Sequence, residues 1–174
     1  MTLPNALSSA RIGLGVLAAL GWLDAMRGGA GLAVTLAAFA AGVLTDVLDG
    51  PIARRTGSTT TVGAILDPLA DKALVFGVLW PLALTPAYAL ALGVLLARDA
   101  AVTLLRARWP ARYRPSVIAK AKTALLYCAC AVVLVHAATD ALDWRLAEAL
   151  LLAGIAASLA SVLGYVRSPA VAHA

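Results

Sequence analysis

Six apolar stretches follow one another through this 174-residue chain, and the segments between them are too short to hold a domain of their own. A helix that crosses a bilayer needs roughly 20 mostly apolar residues, so six such helices nearly fill the chain. Composition excludes other classes of chain. Hydrophobic residues make up 62% and charged residues 13%, against roughly 45–50% and about 25% in a soluble domain. The mean hydropathy is +0.90, more than an ordinary buried core requires. The polar bias of disorder, a heptad repeat and a Gly-X-Y repeat are all missing. So are the alternating strands of about 10 residues that build an outer-membrane barrel. Aromatics are only 6%, and Ala, Leu, Val and Gly dominate, which suits helices packed through small side chains. The expected fold is an all-α integral membrane bundle of six transmembrane helices.

Chain breakers place the helices. Pro4-Asn5 predicts a turn, followed by an apolar run from Ile12 to Ala25 that Gly28-Gly29 ends. A second run spans Ala30 to Leu44, and Arg54, Arg55, Gly57 and Ser58 to Thr61 read as a loop. Further helices are expected from Val62 to Pro81, Ala87 to Leu105, Ile118 to Ala138 and Leu146 to Val166. With the N-terminus inside, only Arg27 and Arg145 of the 14 basic residues fall on the outer side. That is a strong positive-inside bias, so the net charge of +5 points to anionic headgroups and not to nucleic acid. The expected location is the cell membrane, with several passes. No Lys or Arg precedes Arg11, which argues against a cleaved signal peptide. Cys128 and Cys130 lie in an apolar run, too close within one helix for an ordinary disulfide, and read as small buried hydrophobes. His136 reads as packing, and Asp143 and Glu148 as an outer-interface helix start.

Four acids do not fit this picture. The run before Asp46 is about 15 residues, or roughly 22 Å at 1.5 Å per residue, and reaches full thickness only by including Asp46 and Asp49. The next span must take in Asp67, Asp71 and Lys72. A carboxylate at the bilayer centre costs about 2.5–3.5 kcal/mol on insertion scales, so something should compensate. Asp46 and Asp49 are three residues apart and Asp67 and Asp71 four apart, so each pair shares one helix face. Two such faces folded together would repel unless cations bind between them. Oxygen-only ligands favour Mg²⁺, Mn²⁺ or Ca²⁺, and a two-ion site suits phosphoryl transfer. Helix capping with pairing to Arg54, Arg55 and Lys72 is the structural alternative. A small ion or proton transporter is the functional one, although it leaves Gly50, Gly63 and the downstream basic cluster unexplained.

The pattern Asp46-x2-Asp49-Gly50-x2-Ala53-Arg54-x8-Gly63-x3-Asp67-x3-Asp71 resembles the signature of the CDP-alcohol phosphotransferases, integral membrane enzymes of phospholipid synthesis. Every fixed position is filled at the family spacing. The resemblance implies one family domain over residues 1–174 and a six-helix bundle of that type. It further implies two divalent ions, Mg²⁺ or Mn²⁺, on Asp46, Asp49, Asp67 and Asp71, with Asp71 also the general base. Gly50, Ala53, Arg54, Thr60 and Gly63 match positions at the CDP moiety. Chemistry agrees: glycines let a nucleotide approach the backbone, and Arg54 offers a fork of donors to phosphate. Asn5 and Arg11 resemble a family feature ahead of the first helix, near the CDP end.

Arg98-Asp99-x6-Arg106 and Ser116-x-Ile118-x-Lys120-x-Lys122-Thr123 resemble segments of the phosphatidylglycerophosphate synthases. They imply transfer of a phosphatidyl group from CDP-diacylglycerol to glycerol 3-phosphate, with Arg98, Arg106, Lys120 and Lys122 at the acceptor phosphate. Ala119 stands where a glycine is usual. Segments of the same stretch also resemble the cardiolipin synthases, whose acceptor is phosphatidylglycerol; inositol phosphate is a further candidate. Lys122 favours glycerol 3-phosphate. The family implies a site open to the cytoplasmic leaflet, membrane-lipid surroundings and a homodimer.

Overall fold

The computed structural model describes the backbone of residues 3–56, 61–108 and 117–167, and the side chains of 5–48, 63, 66–105, 108 and 121–161. Six α-helices follow in order: α1 (Leu3–Met26), α2 (Gly31–Thr56), α3 (Thr61–Leu79), α4 (Pro86–Arg108), α5 (Val117–Thr139) and α6 (Trp144–Arg167). No strand occurs among the described residues. Among the described residues, five helices, α1, α2, α4, α5 and α6, are long and apolar enough to cross a membrane. Side chains such as Leu20, Leu44, Leu90, Leu104 and Leu152 stand exposed on the outside of the bundle. A soluble protein would bury many of them, whereas a lipid-facing surface does not need to.

The helix ends follow local chemistry. After α1, Gly28 takes φ +85, and the amides of Gly28 and Gly29 bond back to Ala25 and Asp24 at 3.0 and 2.9 Å, a glycine stop. A 3₁₀ turn at Trp80–Leu84 joins α3 to α4. Thr85 is extended, as the residue before a proline must be. Between α5 and α6, Asp140 has φ 53, and the Asp143 carboxylate accepts the Arg145 amide at 2.9 Å, the expected start of α6. His136 packs as expected, its ring centroid 5.7 Å from that of Trp144. Cys130 is buried, whereas Cys128 is exposed on the bundle surface.

Two sequence expectations change. The turn at Pro4-Asn5 is the first turn of α1, where proline is tolerated because its missing amide would have no helical partner. Arg54 and Arg55 continue α2 as far as Thr56. Their charge marks where the helix leaves the apolar layer, not where it ends, since arginine is a good helix former.

Helix order in space also differs from the simple picture. α1 packs along both α2 and α3, which touch each other far less, and α5 pairs with α6. Glycines make this possible. A Cβ on Gly77 would lie 2.1 Å from the Gly15 carbonyl oxygen, and one on Gly15 would lie 2.4 Å from that of Ala73. α1 and α3 therefore meet backbone to backbone. Leu74, Val78, Leu79, Leu134 and Leu151 fill the core between these helices.

Candidate active site

The close contact of α1 with α3 puts one face of α1 over the acids. That face reads Ser8, Arg11, Gly15 and Ala18, at helical spacing, and all four are buried. Ser8 donates a hydrogen bond to Asp67. Arg11, 1% exposed, places Nη1 2.7 Å from Asp71 Oδ1 and 3.1 Å from Asp46 Oδ1. Its Nε lies 3.4 Å from Thr45 Oγ1. Gly42 brings α2 over Leu74, where a Cβ would meet the leucine side chain at 2.5 Å. One turn from that contact, Asp46 and Asp71 face the same guanidinium. Two oxygens 3.1 and 2.7 Å from one nitrogen are no more than about 5.8 Å apart. Tyr127 on α5 donates to Asp71 Oδ1 at 3.3 Å.

Asp67 and Asp71 also line a cavity of about 180 Å³ among α3, α4 and α5. Its other side is basic. Asp99 binds Arg98 Nη1 at 2.7 Å and Lys122 Nζ at 2.6 Å. Lys72 Nζ donates to Thr103 Oγ1 at 2.9 Å and to the Asp99 carbonyl at 3.2 Å. From α6, Ser161 contacts Arg98 and Ser158 lies 3.5 Å from Asp99 Oδ1. Arg98, Asp99 and Lys122 are 10%, 7% and 11% exposed. Three cations thus gather around Asp99 in a largely dry place. Buried charge is costly unless matched, and among the described residues Asp99 is the carboxylate that matches Arg98 and Lys122 here.

Asp46, Asp67, Asp71, Arg98 and Lys122 come together around this region. The side chains of Asp49, Gly50, Ala53, Arg54, Arg106 and Lys120 lie outside the described residues, as does Thr60 altogether. Gly63 is buried. Among the described residues no three ligating side chains gather around one point; Asp46 and Asp71 instead converge on the Arg11 guanidinium. Carboxylates from α2 and α3 thus reach positive charge at one point. The donor set is oxygen only and suits Mg²⁺ or Mn²⁺.

Several residues escape the sequence reading. The resemblance places Asn5 and Arg11 ahead of the first helix, whereas both lie within α1, and the Arg11 side chain reaches the acids. A lone cation in an apolar run was its signal. Ser8, Tyr127, Thr103, Ser158 and Ser161 gave no signal, since each is a common helix residue in a membrane protein.

A family model described as CDP-alcohol phosphatidyltransferase matches residues 1–163. The chain is similar to a cardiolipin synthase (CMP-forming) of Rattus norvegicus, 45% identical over 75 residues, or 42% of this chain and 23% of that protein. It is similar to a CDP-diacylglycerol–glycerol-3-phosphate 3-phosphatidyltransferase 2 of Arabidopsis thaliana, 37% identical over 94 residues, or 53% and 39%. A CDP-diacylglycerol–glycerol-3-phosphate 3-phosphatidyltransferase of Haemophilus influenzae is 56% identical over 45 residues, or 26% and 24%. Each match spans less than half of the relative's own length.

Proposed function

Because the chain belongs to the CDP-alcohol phosphatidyltransferase family, we propose that it transfers a phosphatidyl group from CDP-diacylglycerol to glycerol 3-phosphate and releases CMP. One observation carries the choice of acceptor. Asp67 and Asp71 share a cavity with Lys72, Arg98 and Lys122, and among the described residues Asp99 is the one carboxylate set against those cations on the far wall. In this reading Asp67 and Asp71, on the same cavity, are taken up by divalent ions; against Asp99 alone the three cations then leave a surplus of two positive charges, which matches a phosphate monoester dianion better than the single charge of a phosphodiester. At about 180 Å³, the cavity is below the size of drug-like ligand pockets and suits a small phosphorylated polyol.

In this reading Arg98, Lys122 and Lys72 hold the acceptor phosphate and turn its free hydroxyl toward Asp71. Asp71 takes the proton as the hydroxyl oxygen bonds to the phosphatidyl phosphorus. The bond from that phosphorus to the CMP oxygen breaks, and CMP leaves with the electron pair. Gly50, Ala53, Arg54, Thr60 and Gly63 hold the CDP moiety, with Arg54 at its diphosphate. Mg²⁺ or Mn²⁺, when held by Asp46, Asp49, Asp67 and Asp71, supplies positive charge that offsets the diphosphate and the departing CMP. The site opens to the cytoplasmic side, where the positive-inside bias puts the α2–α3 and α4–α5 connections. The lipid tails of the donor stay in the bilayer, and the chain works as a homodimer in the cell membrane.

A second reading is favoured by the rat relative, whose name makes it a cardiolipin synthase; its acceptor would be phosphatidylglycerol. An acceptor panel decides. Purified chain with CDP-diacylglycerol and Mn²⁺ should release CMP with glycerol 3-phosphate and not with phosphatidylglycerol or inositol phosphate. CMP release with phosphatidylglycerol alone selects the second reading. Ion flux into vesicles with no nucleotide turnover on any alcohol replaces both with transport.

A further inference from the structure

We propose that Arg11 and Tyr127 are positioning residues for Asp71. Together they engage its Oδ1 from two helices and hold the carboxylate in one orientation. This deepens, and rests on, the reading of Asp71 as the proton acceptor. Arg11 reaches Asp71 Oδ1 from α1 at 2.7 Å. The same Nη1 lies 3.1 Å from Asp46 Oδ1 on α2, so one guanidinium ties α2 and α3 at a fixed separation. Tyr127 reaches the same Oδ1 from α5 at 3.3 Å. Its ring stands edge-on to Phe39 of α2, with centroids 6.2 Å apart and planes at 89°, which fixes where its hydroxyl points.

An aspartate on a helix swings about two side-chain bonds. Donors arriving at one oxygen from different sides stop that motion and set the plane of the carboxylate. Such order has a direct use, because a proton acceptor must lie about 2.6–3.2 Å from the hydroxyl it serves. A displacement of about 1 Å can cost roughly 100-fold in rate. Arginine suits the position because, while Nη1 reaches both carboxylates, the Nε of the same planar group lies 3.4 Å from Thr45 Oγ1, whereas lysine offers a single point of charge. Ser8, a helical turn before Arg11, does the same for Asp67. α1 therefore presents one donor to each cavity-facing carboxylate of α3. Neither Arg11 nor Tyr127 gains or loses a proton. The one proton that moves passes from the acceptor hydroxyl to the Asp71 carboxylate.

The test compares Arg11→Met, Arg11→Lys and Tyr127→Phe in the full chain. CMP release is measured against both substrates, and thermal unfolding is followed in EDTA. Arg11→Met is expected to lower kcat about 100-fold with both KM values within about 2-fold. Arg11→Lys recovers some of that loss, and Tyr127→Phe lowers kcat by less than Arg11→Met does. In EDTA, Arg11→Met lowers Tm by several degrees in the native background and by clearly less in Asp71→Asn, the coupling expected of direct partners. Three results overturn the proposal: an unchanged kcat; a KM for CDP-diacylglycerol raised about 10-fold or more with kcat kept, as for a donor-binding residue; or the same Tm loss in both backgrounds. If Arg11→Met does not fold, Arg11→Lys decides by the same kcat-against-KM division. Full activity in Asp71→Asn alone would instead remove the reading of Asp71, and the EDTA measurement would still judge the contact.

Discussion

At the scale of single residues, the site is made of charges that an apolar chain carries at a cost. Asp46, Asp67 and Asp71 were legible in the sequence for that reason: a carboxylate inside a membrane helix needs a partner, and spacing alone put Asp67 and Asp71 on one face. What they bind within the protein was not legible. Helical periodicity says which residues share a face, but not which foreign helix will cover it, so Arg11 could be noticed without its two carboxylates. The wall opposite yields a prediction. Lys122→Met removes one of the two cations bound to the Asp99 carboxylate. It should raise KM for glycerol 3-phosphate about 10-fold or more, given roughly 1.5–3 kcal/mol for a charged hydrogen bond, and leave KM for CDP-diacylglycerol in place. Initial-rate kinetics on both substrates check it, and an equal rise in both KM values would count against an acceptor role.

At the scale of elements, the close contact of α1 with α3 brings the site together. Gly15→Val adds atoms where even a Cβ would lie 2.4 Å from a backbone oxygen. Forcing the helices apart should cost about 1–3 kcal/mol or more and lower both Tm and kcat, since Arg11 and Ser8 are carried away from α3. Gly13, where an added Cβ meets nothing within 4 Å, is the control: Gly13→Val should change Tm and kcat little. Unfolding in detergent and CMP release on the two variants test this directly. The existence of the helices was readable because apolar runs and glycine or proline breakers are local signals. The interposition of α1 between α2 and α3 was not, because it depends on which small residues of distant segments meet. The continuation of α2 through Arg54 and Arg55 was missed because hydropathy measures where a helix leaves the lipid, not where its hydrogen bonds stop.

For the whole molecule, the unequal distribution of basic residues predicts an orientation that can be checked without any assay of activity. With Cys128 and Cys130 replaced by Ala, a cysteine at position 141, in the exposed turn before α6, should react with a membrane-impermeant maleimide on intact cells. A cysteine at position 108, at the exposed end of α4, should react only after the membrane is opened. The reverse pattern would turn the bundle over and put the acids on the wrong side for a cytoplasmic phosphorylated acceptor. The same view of the molecule predicts that chelation abolishes turnover and that added Mn²⁺ or Mg²⁺ restores it, because uncompensated carboxylates would repel an anionic donor. Activity that persists in excess EDTA would remove the ions from the account.

The most direct single measurement is the stoichiometry of CMP and lipid product from the purified chain supplied with CDP-diacylglycerol, Mn²⁺ and glycerol 3-phosphate, set beside Asp71→Asn. One CMP for each phosphatidylglycerophosphate, with the rate reduced about 10³-fold or more in the variant, is the predicted result. CMP formed at the same rate by the variant, or formed without a lipid product, would contradict it.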